Sequence, residues 1–163
     1  MNFFKLFTKS TSKNNVNQTE SDYYEQMFVK NPFWNKPIPN AEEQLRWDII
    51  EGFVKYVKDN FYQSTTEKFT ILDLGCGRGW LTFLLSKYGN IVGIEPVKPV
   101  VKYAKKMFPH LKFICGTTKD LIRQNKEFKT YDLIVSSEVI EHIPDNEKGN
   151  FIEDISKLLS DNG

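Results

Sequence analysis

The chain has 163 residues, enough for one domain with a buried core. Its formal net charge of +1 leaves no basic footprint of the kind nucleic-acid binders carry, so a nucleic-acid partner is not expected. No apolar run reaches the ~18 residues of a membrane span, and two cysteines without a CxxC pattern, Cys76 and Cys115, suit a reduced, cytoplasmic protein.

Residues 1–20 are polar and without period after a short greasy start (Phe3, Phe4, Leu6, Phe7), and read as a disordered tail. Residues 21–60 form an N-terminal segment. Its first part, "YYEQMFVKNPFWNKPIPN", is rich in aromatics, and Pro32, Pro37 and Pro39 forbid a long helix there. The aromatics suit a segment that packs over something rather than a free linker. A helix over 41–59 follows. Asn40 and Glu43 have capping-box spacing, and Leu45, Ile49, Phe53, Val54 and Val57 recur at helical period as its inward face.

From residue 61 the period changes. Short apolar runs, "FTILDL", "NIVGIE", "LKFICG" and "YDLIVSS", alternate with helical patterns starting near residues 79, 98, 118 and 146. The last helix is expected to turn Phe151, Ile152, Ile155, Leu158 and Leu159 inward. Runs apolar on both faces are buried parallel strands. Their alternation with helices predicts an α/β fold: a Rossmann-like, doubly wound parallel sheet with right-handed crossovers.

The first strand runs into "DLGCGRGW", with glycines at 75, 77 and 79. In such sheets ligands sit at the carboxyl ends of the strands. Glycine lets bare main chain approach a ligand, and the following helix would offer free N–H groups. The dinucleotide fingerprint G-x-G-x-x-G is not met, because Trp80 stands where its third glycine belongs. Arg78, inside the loop, reads as a surface charge.

"ILDLGCGRG" resembles motif I of the class I S-adenosylmethionine-dependent methyltransferases. "IVGIEP", "FICGTTKDL" and "YDLIVSSEVIEHIPD" fall in register with that family's later motifs. The resemblance covers residues 69 to the end, and it implies S-adenosylmethionine as the cofactor. Asp73 with Gly75, Cys76, Gly77 and Gly79 would hold the amino and carboxylate ends of its methionine part. Glu95, with Pro96 beside it, would accept the ribose hydroxyls. Thr117 stands where the family often has an aspartate that contacts adenine, and Asp120 matches a second acid nearby. Ser137 and Glu138 complete the implied cofactor-binding set. The family often places a lid ahead of the sheet, so the resemblance implies Trp34, Arg46 and Trp47 as candidates to close over the donor.

The resemblance implies methyl transfer, with O-methylation of a small molecule, lipid or sugar as the leading reading. A hydroxyl acceptor needs help losing its proton. His142 and Glu141 are the catalytic candidates. Glu138, Glu141 and His142 could instead hold Mg²⁺, since E-x-x-E-H resembles the metal motif of small-RNA 2′-O-methyltransferases and is also similar to quinone-pathway O-methyltransferases. A non-catalytic, donor-binding remnant is a third reading. The family sheet usually has seven strands, in the order 3-2-1-4-5-7-6, and four are evident here. A chain truncated at its C-terminus, with an open fourth strand that a partner chain could pair along, is therefore expected. Such a chain would bind the donor weakly and turn over little.

Overall fold

The computed structural model describes residues 21–62, 69–124, 131–161 and 163. The expected tail over 1–20 lies outside the described residues. A helical segment over 21–25 continues as a π-helical turn, Gln26–Lys30, and stops at Asn31, just before Pro32. Helix α1 is Ala41–Phe61. Then come β1 (Thr70–Leu74), α2 (Trp80–Leu85), β2 (Asn90–Glu95), α3 (Lys98–Met107), β3 (Lys112–Cys115), α4 (Thr118–Gln124), β4 (Leu133–Ser136) and α5 (Lys148–Leu158). Two short 3₁₀ turns, Ile140–His142 and Asp145–Glu147, link β4 to α5.

The four strands form one parallel sheet in the order β3-β2-β1-β4. Asp73 of β1 lies beside Gly93 of β2 on one side and Val135 of β4 on the other. Side chains alternate across β1, and this alternation builds two layers. Ile71 joins Trp47, Val54, Trp80, Leu81 and Leu85 under α1 and α2. Leu72 and Leu74 join Leu121, Tyr131, Phe151 and Leu158 under α4 and α5. A third cluster of Val101, Ala104, Phe108 and Phe113 seats α3 beside β3.

Helix α1 starts where the capping pattern places it. Asn40 Oδ1 accepts the Glu43 N–H at 3.0 Å, and the Asn40 N–H donates to Glu43 Oε2 at 2.8 Å. Its inward face differs from the expected one. Glu43, Trp47 and Val54 are buried, with Ile50 and Val57 packed alongside, whereas Leu45, Ile49 and Phe53 face outward. Apolar residues line both sides of this helix, so hydrophobicity alone did not choose. Ile152, expected inward on α5, is likewise exposed, because Phe151, Asp154 and Leu158 take the inward stripe.

At the amino ends of the strands, Asp132 ties three segments together. Its carboxylate accepts the Thr70 N–H and the Thr70 hydroxyl, each at 2.8 Å, and the Ser160 hydroxyl at 3.1 Å. Replacing it with alanine removes these hydrogen bonds from a half-buried place. Asp132→Ala should therefore cost about 1–3 kcal/mol of unfolding free energy, read from urea denaturation.

Candidate functional site

The carboxyl ends of β1, β2 and β4 open into one cavity of about 730 Å³, a size suited to a cofactor-sized ligand. Asp73, Gly75, Cys76, Gly77, Glu95, Pro96, Thr117, Ser137, Glu138 and His142 all line it. Gly79 and Glu141, two of the residues expected there, do not. Gly79 caps α2 at φ 88°, and a Cβ on it would sit 2.7 Å from the Phe113 ring, so it serves packing under the loop. Glu141 is exposed, carried outward by the 3₁₀ turn that leaves His142 on the cavity side.

The glycine loop spends its own donors internally. The N–H groups of Gly75 and Cys76 both donate to the Ile94 carbonyl, at 2.9 and 3.0 Å, and Gly79 donates to the Cys76 carbonyl at 2.9 Å. The Gly77 N–H goes to Glu95 Oε2 at 3.2 Å, and Glu95 Oε1 accepts the Val97 N–H at 3.0 Å. The N–H groups of Gly75, Cys76, Gly77 and Gly79 are therefore taken within the protein, and what these residues offer a ligand is shape. Gly75 has φ 77°, and a Cβ there would collide with Val139 of the β4 loop, so the two loops meet only because this residue is glycine.

Asp73 is fully enclosed and accepts the Thr82 hydroxyl at 2.5 Å. Burial pushes its carboxyl up to about 7, the Thr82 hydrogen bond opposes this, and the Glu95 charge adds to it. Burial, with the Asp73 and Glu95 charges behind it, also holds the Cys76 thiol well above its ordinary range. Glu138, at the end of β4, has φ 59°, the one positive φ of a non-glycine among the described residues. Such strain gathers at functional sites. Thr117, offered for adenine, binds Asp120 instead: its N–H and hydroxyl both donate to Oδ2 at 2.9 Å, capping α4. That contact holds the Asp120 carboxyl below its ordinary range.

Several cavity residues were not legible as such. Arg78 is completely buried, not a surface charge. Its Nη1 and Nη2 donate to the two Glu43 carboxylate oxygens at 2.6 and 2.7 Å, and its Nε donates to the Lys36 carbonyl at 2.7 Å. The Tyr103 hydroxyl donates to the Asn35 carbonyl at 2.8 Å, so the 31–40 segment is held from two sides. From this base the 21–30 segment roofs the cavity. The Phe28 ring lies over Gly77, and Tyr24 stacks on Phe28 and meets His142 edge-on at 6.0 Å. Of the three lid candidates, Trp34 and Arg46 line the cavity and Trp47 belongs to the core. Arg46 Nε is buried there without a hydrogen-bond partner.

Among the described residues, no group of three or more His, Cys, Asp or Glu side chains could hold a metal ion. Glu141 lies outside the cavity that Glu138 and His142 line, so the three do not gather into a site that fits Mg²⁺. Among the same residues, no helix is long and apolar enough to cross a membrane.

A family model described as methyltransferase domain matches residues 71–163, more than half of the chain. The chain belongs to the methyltransferase-domain family. The chain is 27% identical, over 92% of its length, to a ubiquinone biosynthesis O-methyltransferase of Pelagibacter ubique, and covers 63% of that relative. The chain thus spans less than two thirds of the length of the curated relatives it matches first. Among solved structures, the PH0226 protein from Pyrococcus horikoshii shares the fold with a TM-score of 0.65 at 23% identity, over 87% of this chain and 58% of that one. Magnesium protoporphyrin IX methyltransferase from Synechocystis, solved with bound S-adenosylmethionine, shares it with a TM-score of 0.62 at 14% identity, over 94% of this chain and 75% of that one.

Two outcomes follow from this geometry. The raised Asp73 carboxyl means the folded protein holds a proton that the unfolded chain releases in the ordinary carboxylate range. The stability Asp73 contributes is fully present below that range and is lost as pH rises through about 7. Asp73→Asn should therefore gain on the native protein from about pH 4 to about pH 7 and level off above that, measured as paired denaturation midpoints. Arg78→Met leaves a buried Glu43 carboxylate unpaired and should cost about 3–5 kcal/mol. Adding Glu43→Gln, which removes that charge, should restore part of the loss in the same denaturation experiment.

Proposed function

We propose that this chain is the donor-binding part of an S-adenosylmethionine-dependent methyltransferase that acts on a hydroxyl group of a small molecule, lipid or sugar. The observation that carries this reading is the cavity itself. It sets two enclosed carboxylates, Asp73 and Glu95, and a partnerless buried arginine nitrogen around bare glycine main chain. An amino-acid-bearing nucleoside matches that set. Asp73 suits its ammonium group, and Glu95, fixed by two backbone N–H groups, suits the ribose hydroxyls. Arg46 suits its carboxylate.

The bound donor supplies a methyl group on a sulfonium, already activated toward a nucleophile. The chain's own work is alignment and exclusion of water. The Tyr24–Phe28 roof covers the cavity over Gly77, and the 31–40 segment, pinned by Arg78 and Tyr103, keeps the roof in place. His142 stands at the cavity wall against Tyr24 and is our choice to take the acceptor's proton. Glu141 has no part in this reading, and no metal does. Relatives named as O-methyltransferases of ubiquinone biosynthesis support a hydroxyl acceptor. The reading also places a further strand along β4, which pairs only with β1 among the described strands. The exposed free thiol of Cys115 supports a reducing, cytoplasmic setting.

Calorimetric titration tests the donor site. S-adenosylhomocysteine should bind in the micromolar range, and Glu95→Gln should weaken it by ~10-fold or more. Arg46→Met should weaken S-adenosylhomocysteine and leave 5′-methylthioadenosine, which lacks the carboxylate, unchanged. No binding by the native chain, or equal affinity in Glu95→Gln, would sink the proposal.

A further inference from the structure

Helix α1 carries a second apolar stripe that the fold does not use. Leu45, Ile49, Phe53 and Tyr56 are 68%, 64%, 68% and 59% exposed. Their spacing puts them on one face, opposite the buried Glu43–Trp47–Val54 stripe. Four large side chains aligned along three helical turns are unlike the scattered apolar residues of an ordinary surface.

Gly52 lies in the middle of that stripe. A Cβ added there would meet nothing within 4 Å, so the chain's own packing does not ask for glycine. Glycine in a helix interior costs about 1 kcal/mol relative to alanine. A cost without an internal reason is explained when another backbone comes close at that point.

We propose that the outward face of α1 is a two-fold interface between two copies of this chain, with the helices antiparallel and crossing at Gly52. The charges beside the stripe choose this occupant. Asp48 and Lys55 flank the same edge, one turn to either side of Gly52, and both are exposed. In an antiparallel pair centred there, Asp48 of each copy faces Lys55 of the other, and the two-fold repeats the contact. Within one copy Lys55 has only the solvent-exposed side of Glu51, at 3.1 Å, to leave. An anionic lipid surface fits the same face poorly, because Glu42, Asp48 and Asp59 border it against one lysine, Lys55. Phe53 of one copy then meets its symmetry mate across the axis. At roughly 100 Å² per large side chain, two copies bury on the order of 800 Å² through the stripe, which marks a weak, reversible dimer.

Light scattering coupled to size exclusion, run on the 163-residue chain over a concentration series, decides the matter. The mass should rise about twofold with concentration. Phe53→Glu, an exposed change far from the core, should abolish that rise and leave the melting temperature unchanged. Asp48→Lys alone and Lys55→Asp alone should each be monomeric. An equimolar mixture of the two should associate, because every facing pair then has opposite charge. A monomer at all concentrations, a dimer that survives Phe53→Glu, or single variants that do not associate on mixing would overturn the proposal. So would sedimentation with phosphatidylcholine–phosphatidylglycerol vesicles through this face without self-association.

Discussion

The buried pair of Arg78 and Glu43 is the contact on which the rest of this structure hangs. The two are 0% and 1% exposed. Two charges taken from water cost several kcal/mol each, and their attraction offsets this only when the geometry and the remaining hydrogen bonds are good. Here they are. The guanidinium meets both carboxylate oxygens and also reaches the carbonyls of Lys36 and Ile38. Glu43 Oε2 serves in addition as the reciprocal half of the α1 cap. One side chain from the glycine loop therefore fixes the start of α1, the base of the roof and the loop itself as a single unit.

That pair also decides how α1 is rotated. The helix has two apolar stripes of similar strength. The stripe that turns inward contains a glutamate, which a hydrophobic argument rejects. It wins because Glu43 must reach Arg78, and Trp47 and Val54 follow it at helical spacing into the layer over β1. The partner of Glu43 lies 35 positions away in sequence. Periodicity within one helix has no access to such a partner, so it names the helix, its cap and the inward Val54 and Val57 correctly, and misplaces Leu45, Ile49 and Phe53.

The same division between local and distant causes runs through the chain. Strand–helix alternation, the capping box and the Asp73 and Glu95 strand ends are written in neighbouring residues, and the sequence is legible there. Gly79 looked equivalent to Gly75 and Gly77 because spacing treats all three alike. Its neighbours are Phe113 and Phe108, from another crossover, and they make it a packing residue. Glu141 and His142 are adjacent in sequence, and the 3₁₀ turn between β4 and α5 sends them to different surroundings. The roof over 21–30 was legible only as a surplus of aromatics, since what it covers comes from residues more than forty positions later.

The interior of the cavity shows why such a roof is useful. Asp73 and Glu95 are both buried in its lining, and burial, with the Glu95 charge adding to it, makes the first of them resist ionisation. An arrangement of this kind costs stability in the free protein and is tolerated where a ligand relieves it. A cationic group beside Asp73 would offset the burial that raises its pKa, and the Tyr24–Phe28 pair over the loop would strengthen that attraction by displacing water. The roof, the two acids and the Arg78 anchor are thus one device. The anchor holds the wall, and the wall and the two acids border the cavity on which the proposed donor site rests.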